Sequence, residues 1–186
     1  FRANAGFGLP YGNTTTALPY DYSFSGGGAN DNRGWNARTL GPSNYKFHLD
    51  PDRTITQIGD IRLGGSLEYR FSLSSIFKGA VFTDFGNIWT YKEDSRNAQF
   101  QLQHVFKELA VASGVGLRLD LDYFIVRLDI GLPVYNPAYA DGARWIFQDA
   151  KDRAIYNQEA TDAGIDIQTL PRPFIPRIHF GLGYPF

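Results

Sequence analysis

Two runs decide the fold: residues 109–121, LAVASGVGLRLDL, and residues 124–132, FIVRLDIGL. In the first, Leu109, Val111, Val115, Leu117, Leu119 and Leu121 share one register, and Ala110, Ala112, Gly114, Gly116, Arg118 and Asp120 share the other. In the second, Phe124, Val126, Leu128, Ile130 and Leu132 oppose Arg127, Asp129 and Gly131. A period of two is that of a β-strand, whose successive side chains point to opposite faces. Only Asp122 and Tyr123 separate the runs, so they predict an antiparallel hairpin.

Working outward, the same alternation recurs four more times. Residues 1–9 set Phe1, Ala3, Ala5, Phe7 and Leu9 against Arg2, Asn4, Gly6 and Gly8. Residues 59–71 set Ile61, Leu63, Leu67, Tyr69 and Phe71 against Asp60, Arg62, Ser66, Glu68 and Arg70. Residues 79–89 set Val81, Thr83, Phe85 and Trp89 against Ala80, Phe82, Asp84 and Gly86. At the end of the chain Ile178, Phe180, Leu182, Tyr184 and Phe186 oppose Arg177, His179, Gly181 and Gly183. None of the six apolar registers carries a charge. A soluble antiparallel sheet with one solvated face also alternates, but it has no need of a charge-free register or of so much glycine opposite it. Both features suit transmembrane β-strands, which alternate lipid-facing apolar and lumen-facing polar residues over about ten positions.

Composition agrees. The 186 residues include 15 Phe, 11 Tyr and 20 Gly, with no Cys and no Met. Mean hydropathy is −0.29, and no run approaches the ~18 apolar residues of a membrane helix. The 18 basic and 19 acidic residues leave no nucleic-acid footprint. Absence of Cys excludes disulfides, thiolate zinc sites and cysteine nucleophiles.

The connections 10–58, 72–78, 90–108, 122–123 and 133–174 run long, short, long, short, long. Antiparallel membrane barrels place long loops at the extracellular end and short turns at the periplasmic end. Tyr69, Phe71, Phe77, Trp89, Tyr91, Tyr123, Phe124, Tyr184 and Phe186 fall at strand ends, where interfacial aromatic girdles belong. Within 141–163, Trp145, Ile146, Ala150, Ala154 and Ile155 recur at helical spacing and predict a short helix capping the barrel mouth. Six strands are fewer than the roughly eight of the smallest barrels. Phe1 also falls inside a predicted strand. The expectation is therefore the C-terminal portion of a longer barrel.

Four stretches resemble the BamA/TamA family of outer-membrane assembly proteins. Asn32-Arg33-Gly34-Trp35, followed by Arg38-Thr39-Leu40-Gly41-Pro42, looks like that family's Arg-Gly-aromatic motif at the tip of its sixth extracellular loop. Gly59-Asp60 with Ser66-Leu67-Glu68-Tyr69-Arg70-Phe71 looks like its strand with a lumenal Glu, and Phe82-Thr83-Asp84-Phe85-Gly86-Asn87 like its Phe-x-Asp-x-Gly strand. His179-Phe180-Gly181-Leu182-Gly183-Tyr184-Pro185-Phe186 resembles the C-terminal targeting signal of such barrels. Gly-Asn-Ile-Trp ending at Trp89 and the terminal Gly-Tyr-Pro-Phe look most like TamA/TamL-type members. By that resemblance residues 1–186 would be about strands eleven to sixteen of a sixteen-stranded barrel. The loop 10–58 would fold into the lumen, 133–174 would cap it, and periplasmic repeats and the earlier strands would lie upstream.

The resemblance implies a bacterial outer-membrane barrel that helps insert or export β-barrel or surface proteins. It would act through a seam between first and last strands, where nascent strands add to an edge. The implied partners are outer-membrane lipid, nascent outer-membrane proteins and periplasmic or lipoprotein accessory subunits, with no cofactor, no metal and no chemistry of its own. A two-partner-type secretion pore and a passive porin or structural barrel are the alternatives. Arg33, Gly34, Trp35, Glu68 and Asp84 are the candidate loop clamp. Parity puts both acids inside on adjacent strands, where one planar guanidinium can serve two carboxylates. The competing possibility pairs Glu68 with Arg62 or Arg70 and leaves Arg33 in solvent. His179, Gly181, Gly183, Tyr184 and Phe186 are the candidate targeting signal and seam, the glycines weakening that strand. His48, His104 and His179 lack metal-ligand spacing. Asp120, Asp122 and Asp129 with Arg118 and Arg127 read as a lumenal charge ladder rather than a catalytic pair.

Overall fold

Six strands form where the registers alternate, and each pairs antiparallel with the next in sequence: β1 (Arg2–Phe7), β2 (Ile61–Ser72), β3 (Phe77–Trp89), β4 (Ala110–Asp120), β5 (Ile125–Tyr135) and β6 (Arg177–Leu182). This is a computed structural model, and it describes residues 1–11, 18–50, 57–121, 123–147, 150–169 and 172–183, with backbone alone at 150–153. The sheet is an open meander with β1 and β6 at its edges. No helix among the described residues is long and apolar enough to cross a membrane.

Register follows the hydrophobic pattern, because a slip by one residue would turn every apolar side chain to the other face. Leu67, Tyr69 and Phe71 on β2 stand on the same face as Val81 on β3, to which Tyr69 pairs directly. Val115 and Leu117 on β4 continue that face through Ile130 and Leu128 on β5 to Ile178 and Phe180 on β6. All of these side chains are exposed. The opposite face holds Ser66, Asp84, Arg118, Arg127, Asp129 and His179, all buried. A sheet with its charges buried and its apolar side chains exposed is inverted relative to a soluble one, as expected for a barrel wall in lipid.

A meander places its connections alternately at two ends. The short turns 73–76 and 121–124 lie at one, and the three long connections at the other. β5 runs three residues past the predicted end, through Pro133 to Tyr135. Proline fits there because the β4–β5 register shifts between Val111 and Ala112, and a ladder donor is not required at such an irregularity.

Two expectations need correction. Trp89 does not belong to an exposed girdle: it is 0% exposed and packs with Ile61 and Val105 against Phe100. The alternation rule treats the whole outward face as open, whereas helix α1 (Val105–Glu108) folds back over its loop end and accepts the Trp89 indole N–H on Glu108. Tyr69, Phe71, Phe77, Tyr91, Tyr123 and Phe124 are exposed, as a girdle requires. The short helix expected within 141–163 is present, but it leaves out Trp145 and Ile146. Helix α2 spans Ala150–Asp162, while Trp145 bridges to Tyr135 and the Ile146 amide donates to Val134. These contacts extend the β5 hairpin, so the apolar pair Trp145 and Ile146 serves a bridge rather than a helix face. From α2, Tyr156 stacks on His48 at 5.0 Å and meets Tyr139 edge-on, while Lys46 reaches Glu159, which ties α2 to the first long connection.

Candidate functional site

The first long connection crosses the polar face of the sheet, and its tip, residues 30–34, reaches all six strands. From β1, Arg2 Nη1 donates to the Asn30 carbonyl at 2.7 Å. From β2, Arg62 pairs with Asp31 at 2.7 Å. Asn32 Nδ2 donates to the Ala110 carbonyl of β4 at 3.3 Å, and Arg127 of β5 donates to Asn30 Oδ1 at 2.7 Å. β3 and β6 are held through Arg33.

The tip can sit this close because the positions it presses on are small. A Cβ on Gly34 would fall 2.6 Å from the Ala112 Cβ and 3.2 Å from the Pro133 nitrogen. A Cβ on Gly131 would collide with the Arg33 carbonyl, which is backbone and cannot swing aside. Trp35 then packs with Leu40 against Ala110 and Ala112 on the same wall.

Arg33 is 1% exposed and Asp84 0%. The guanidinium makes a bidentate pair with Asp84, Nε to Oδ2 and Nη2 to Oδ1, both at 2.8 Å. Nη1 reaches Glu68 Oε2 at 2.8 Å. The backbone N–H of Arg33 adds a bond to Asp84 Oδ2 at 3.0 Å, and the Ser66 hydroxyl donates to Asp84 Oδ1 at 2.6 Å. Beneath the guanidinium lies the Phe82 ring, 3.4 Å from the Arg33 Cζ. Such stacking suits a weakly hydrated planar cation. Phe82, an apolar residue on the polar register, thereby has its place.

Glu68 is shared. Arg70 Nε donates to its Oε1 at 2.7 Å and Arg118 lies 3.1 Å from Oε2. Both pairings weighed from the sequence for Glu68, with Arg33 and with Arg70, therefore exist together, while Arg62 goes to Asp31. Arg118 also pairs with Asp129, which approaches Arg33 to 3.6 Å and Arg127 to 3.6 Å. Three guanidiniums thus face three carboxylates away from solvent. Each ion shut off from water costs several kcal/mol unless its partners and hydrogen bonds compensate, so removing one member penalises any partner left without another counter-ion.

The sequence did not pick out Asp129, Arg118 or Arg127 as members of this cluster, nor His179 as a neighbour of Arg33. The His179 Nε2–H donates to the Arg33 carbonyl at 2.9 Å, joining the edge strand β6 to the loop tip. The available signal was parity, which puts all four inside. Gly181 lies against Arg127, where a Cβ would meet Nη2, and Gly183 has a φ of +81°. Tyr184 and Phe186 lie outside the described residues. Among the described residues no cluster of His, Cys, Asp or Glu could hold a metal ion.

An antiparallel meander with an exposed apolar band on one face, and a loop tip ion-paired into a polar interior on the other, defines part of the wall of an outer-membrane β-barrel. The Omp85 superfamily domain matches residues 1–186, and the chain belongs to that superfamily. Membership supports kinship with the BamA/TamA proteins and marks the chain as an outer-membrane barrel protein of the insertion and translocation class. No curated protein matches the sequence significantly.

Proposed function

We propose that residues 1–186 form the C-terminal, seam-bearing part of a TamA/TamL-type barrel that inserts or exports outer-membrane and surface proteins without cofactor or catalysis. The observation that carries this is the reach of one loop tip from Arg2 on β1 to His179 on β6. A tip tied to both β1 and β6 couples the interior to β6, which can accept a client strand where its seam with the barrel's first strand opens. Strand addition supplies main-chain hydrogen bonds to such an edge, and glycine on it weakens competing pairing. Among the described residues β6 spans Arg177–Leu182 and pairs to β5 over Val126–Gly131, and it carries Gly181 within that span. The occupied interior disfavours a passive porin, whose lumen must stay open.

Reconstitution tests the proposal. The full-length protein in proteoliposomes should accelerate the appearance of protease-resistant, folded barrel from an unfolded outer-membrane client, and Arg33→Ala should remove most of that acceleration. Transfer of a soluble client into the vesicle lumen would instead establish the two-partner secretion pore. Steady ion conductance with neither activity would establish the porin.

A further inference from the structure

The connection between β3 and β4 carries Leu102, Val105, Phe106 and Leu109 at the i, i+3, i+4, i+7 spacing of an amphipathic helix, with Gln103, His104 and Lys107 exposed between them. Only Val105–Glu108 is helical. Val105 is buried, yet Leu102 is 79% and Phe106 87% exposed. Polar connections do not ordinarily present two large apolar side chains this openly.

These two side chains flank an open groove whose floor is the outward face of the sheet: Ala3 and Ala5 of β1, Leu63 of β2 and Phe85 of β3. Leu63 and Phe85 belong to the same outward face as Leu67, Tyr69 and Val81, so the groove is continuous with the lipid-facing band. Depth decides what fills it. Leu63 lies eight residues from Phe71 along β2, which is ~27 Å of strand at ~3.4 Å per residue. At a tilt of ~40° that is ~21 Å of membrane thickness, so with the girdle residue Phe71 at one boundary Leu63 falls inside the ~25 Å apolar band of such barrels. The floor of the groove is therefore at acyl-chain depth rather than above the headgroups.

We propose that the segment 101–109 lies in the membrane interface as a lipid-anchored strap, and that the groove beneath it holds an acyl chain of a bilayer lipid in the leaflet at the loop end. Leu102 and Phe106 face the hydrocarbon on either side of that chain. His104 and Lys107 stay at the headgroups, as interfacial amphipathic segments arrange their polar side. The strap sits through Val105 on Ile61 of β2 and Trp89 of β3, so lipid there stabilises the loop end of the strands that carry Glu68 and Asp84. This inference rests on the apolar face being the lipid face, not on insertion activity.

Spin labels test it in the full-length protein in proteoliposomes. Nitroxides are placed one at a time at Leu102, Phe106, Val115 and Asn97, and collisions with oxygen and with a water-soluble nickel chelate are compared. Val115, exposed in the middle of the sheet, and Asn97, exposed in the same connection, are the lipid and water references. The expected result is an oxygen-to-nickel ratio at Leu102 and Phe106 within about twofold of that at Val115 and at least fivefold above that at Asn97. Ratios at Leu102 and Phe106 matching Asn97, with Val115 in lipid, would overturn the strap and leave the barrel intact. Low collision with both reagents would mean that protein covers the groove, and would overturn it as well. A water-like Val115 would sink the lipid face itself and the strap with it.

Discussion

Arg33→Ala removes the cation at the centre of the lumenal cluster, and its cost can be worked out partner by partner. Glu68 is left with Arg70 at 2.7 Å and Arg118 at 3.1 Å, so it stays compensated. Asp84 does not: among the described residues its only ion pair is with Arg33. The Ser66 hydroxyl and the residue-33 backbone N–H remain on it. Stranding a buried carboxylate costs ~3–5 kcal/mol, and those two surviving bonds place this case at the low end, about 3 kcal/mol. The cost can be escaped by undocking the loop, which rehydrates Asp84. The undocked population should therefore rise on the order of a hundredfold, since ~1.4 kcal/mol is a factor of ten. Trp35 reports it, being buried against Leu40, Ala110 and Ala112 only while the tip is seated. Chymotryptic cleavage at Trp35, followed by mass, should accelerate about a hundredfold in Arg33→Ala. Arg33→Lys should accelerate it about tenfold, because one ammonium cannot reproduce the fork that spans Asp84 and Glu68. An Arg33→Ala rate within threefold of the parent would refute the buried-clamp reasoning.

Other consequences follow from neighbouring contacts. Gly131→Ala drives a Cβ into the Arg33 carbonyl and should cost ~1–3 kcal/mol of docking by overpacking, seen as Trp35 cleavage rising at least fivefold with every charge still in place. His179→Ala leaves the buried Arg33 carbonyl without its donor, worth ~1–3 kcal/mol; amide exchange across Arg177–Leu182 should quicken about fivefold or more, and unchanged exchange would mean that the loop tip does not hold β6. Single cysteines at Asn44, Asn97 and Thr161, all exposed in long connections, should react with a membrane-impermeant reagent on intact cells, while one at Ser75 in a short turn should not. Reaction at Ser75 would overturn the orientation.

The strands were legible because lipid and lumen impose opposite chemistry on alternate residues, and the pleat writes that directly into positions such as 124–132. Asp84 and Glu68 could be placed on one face by parity, and Arg33 was singled out by its motif. What parity could not supply is distance across the interior. Arg118, Arg127 and Asp129 sit on the same face as many other polar residues, and only the path of the loop tip decides which of them it meets. The His179 contact joins residues 146 positions apart through a backbone carbonyl, which has no sequence signature. Trp89 was misplaced for a related reason. Alternation gives the face a residue points to, not what a later segment lays over it, and α1 covers that face. The helix α2 was located only approximately because Trp145 and Ile146 mimic its spacing while extending the β5 hairpin.

The central claim is that client strands add to β6 where its seam with the barrel's first strand opens. Photoreactive side chains placed in the working cell at Phe180 on β6 and at Val115 in mid-sheet compare two exposed positions on the same outward face. Both lie on the outward face, but only Phe180 lies on the strand proposed to form the seam. The account predicts adducts with nascent outer-membrane proteins at Phe180, lost when the client's terminal strand is deleted, and none at Val115. Equal adducts at the two positions, or none at Phe180 while insertion proceeds normally, would contradict it.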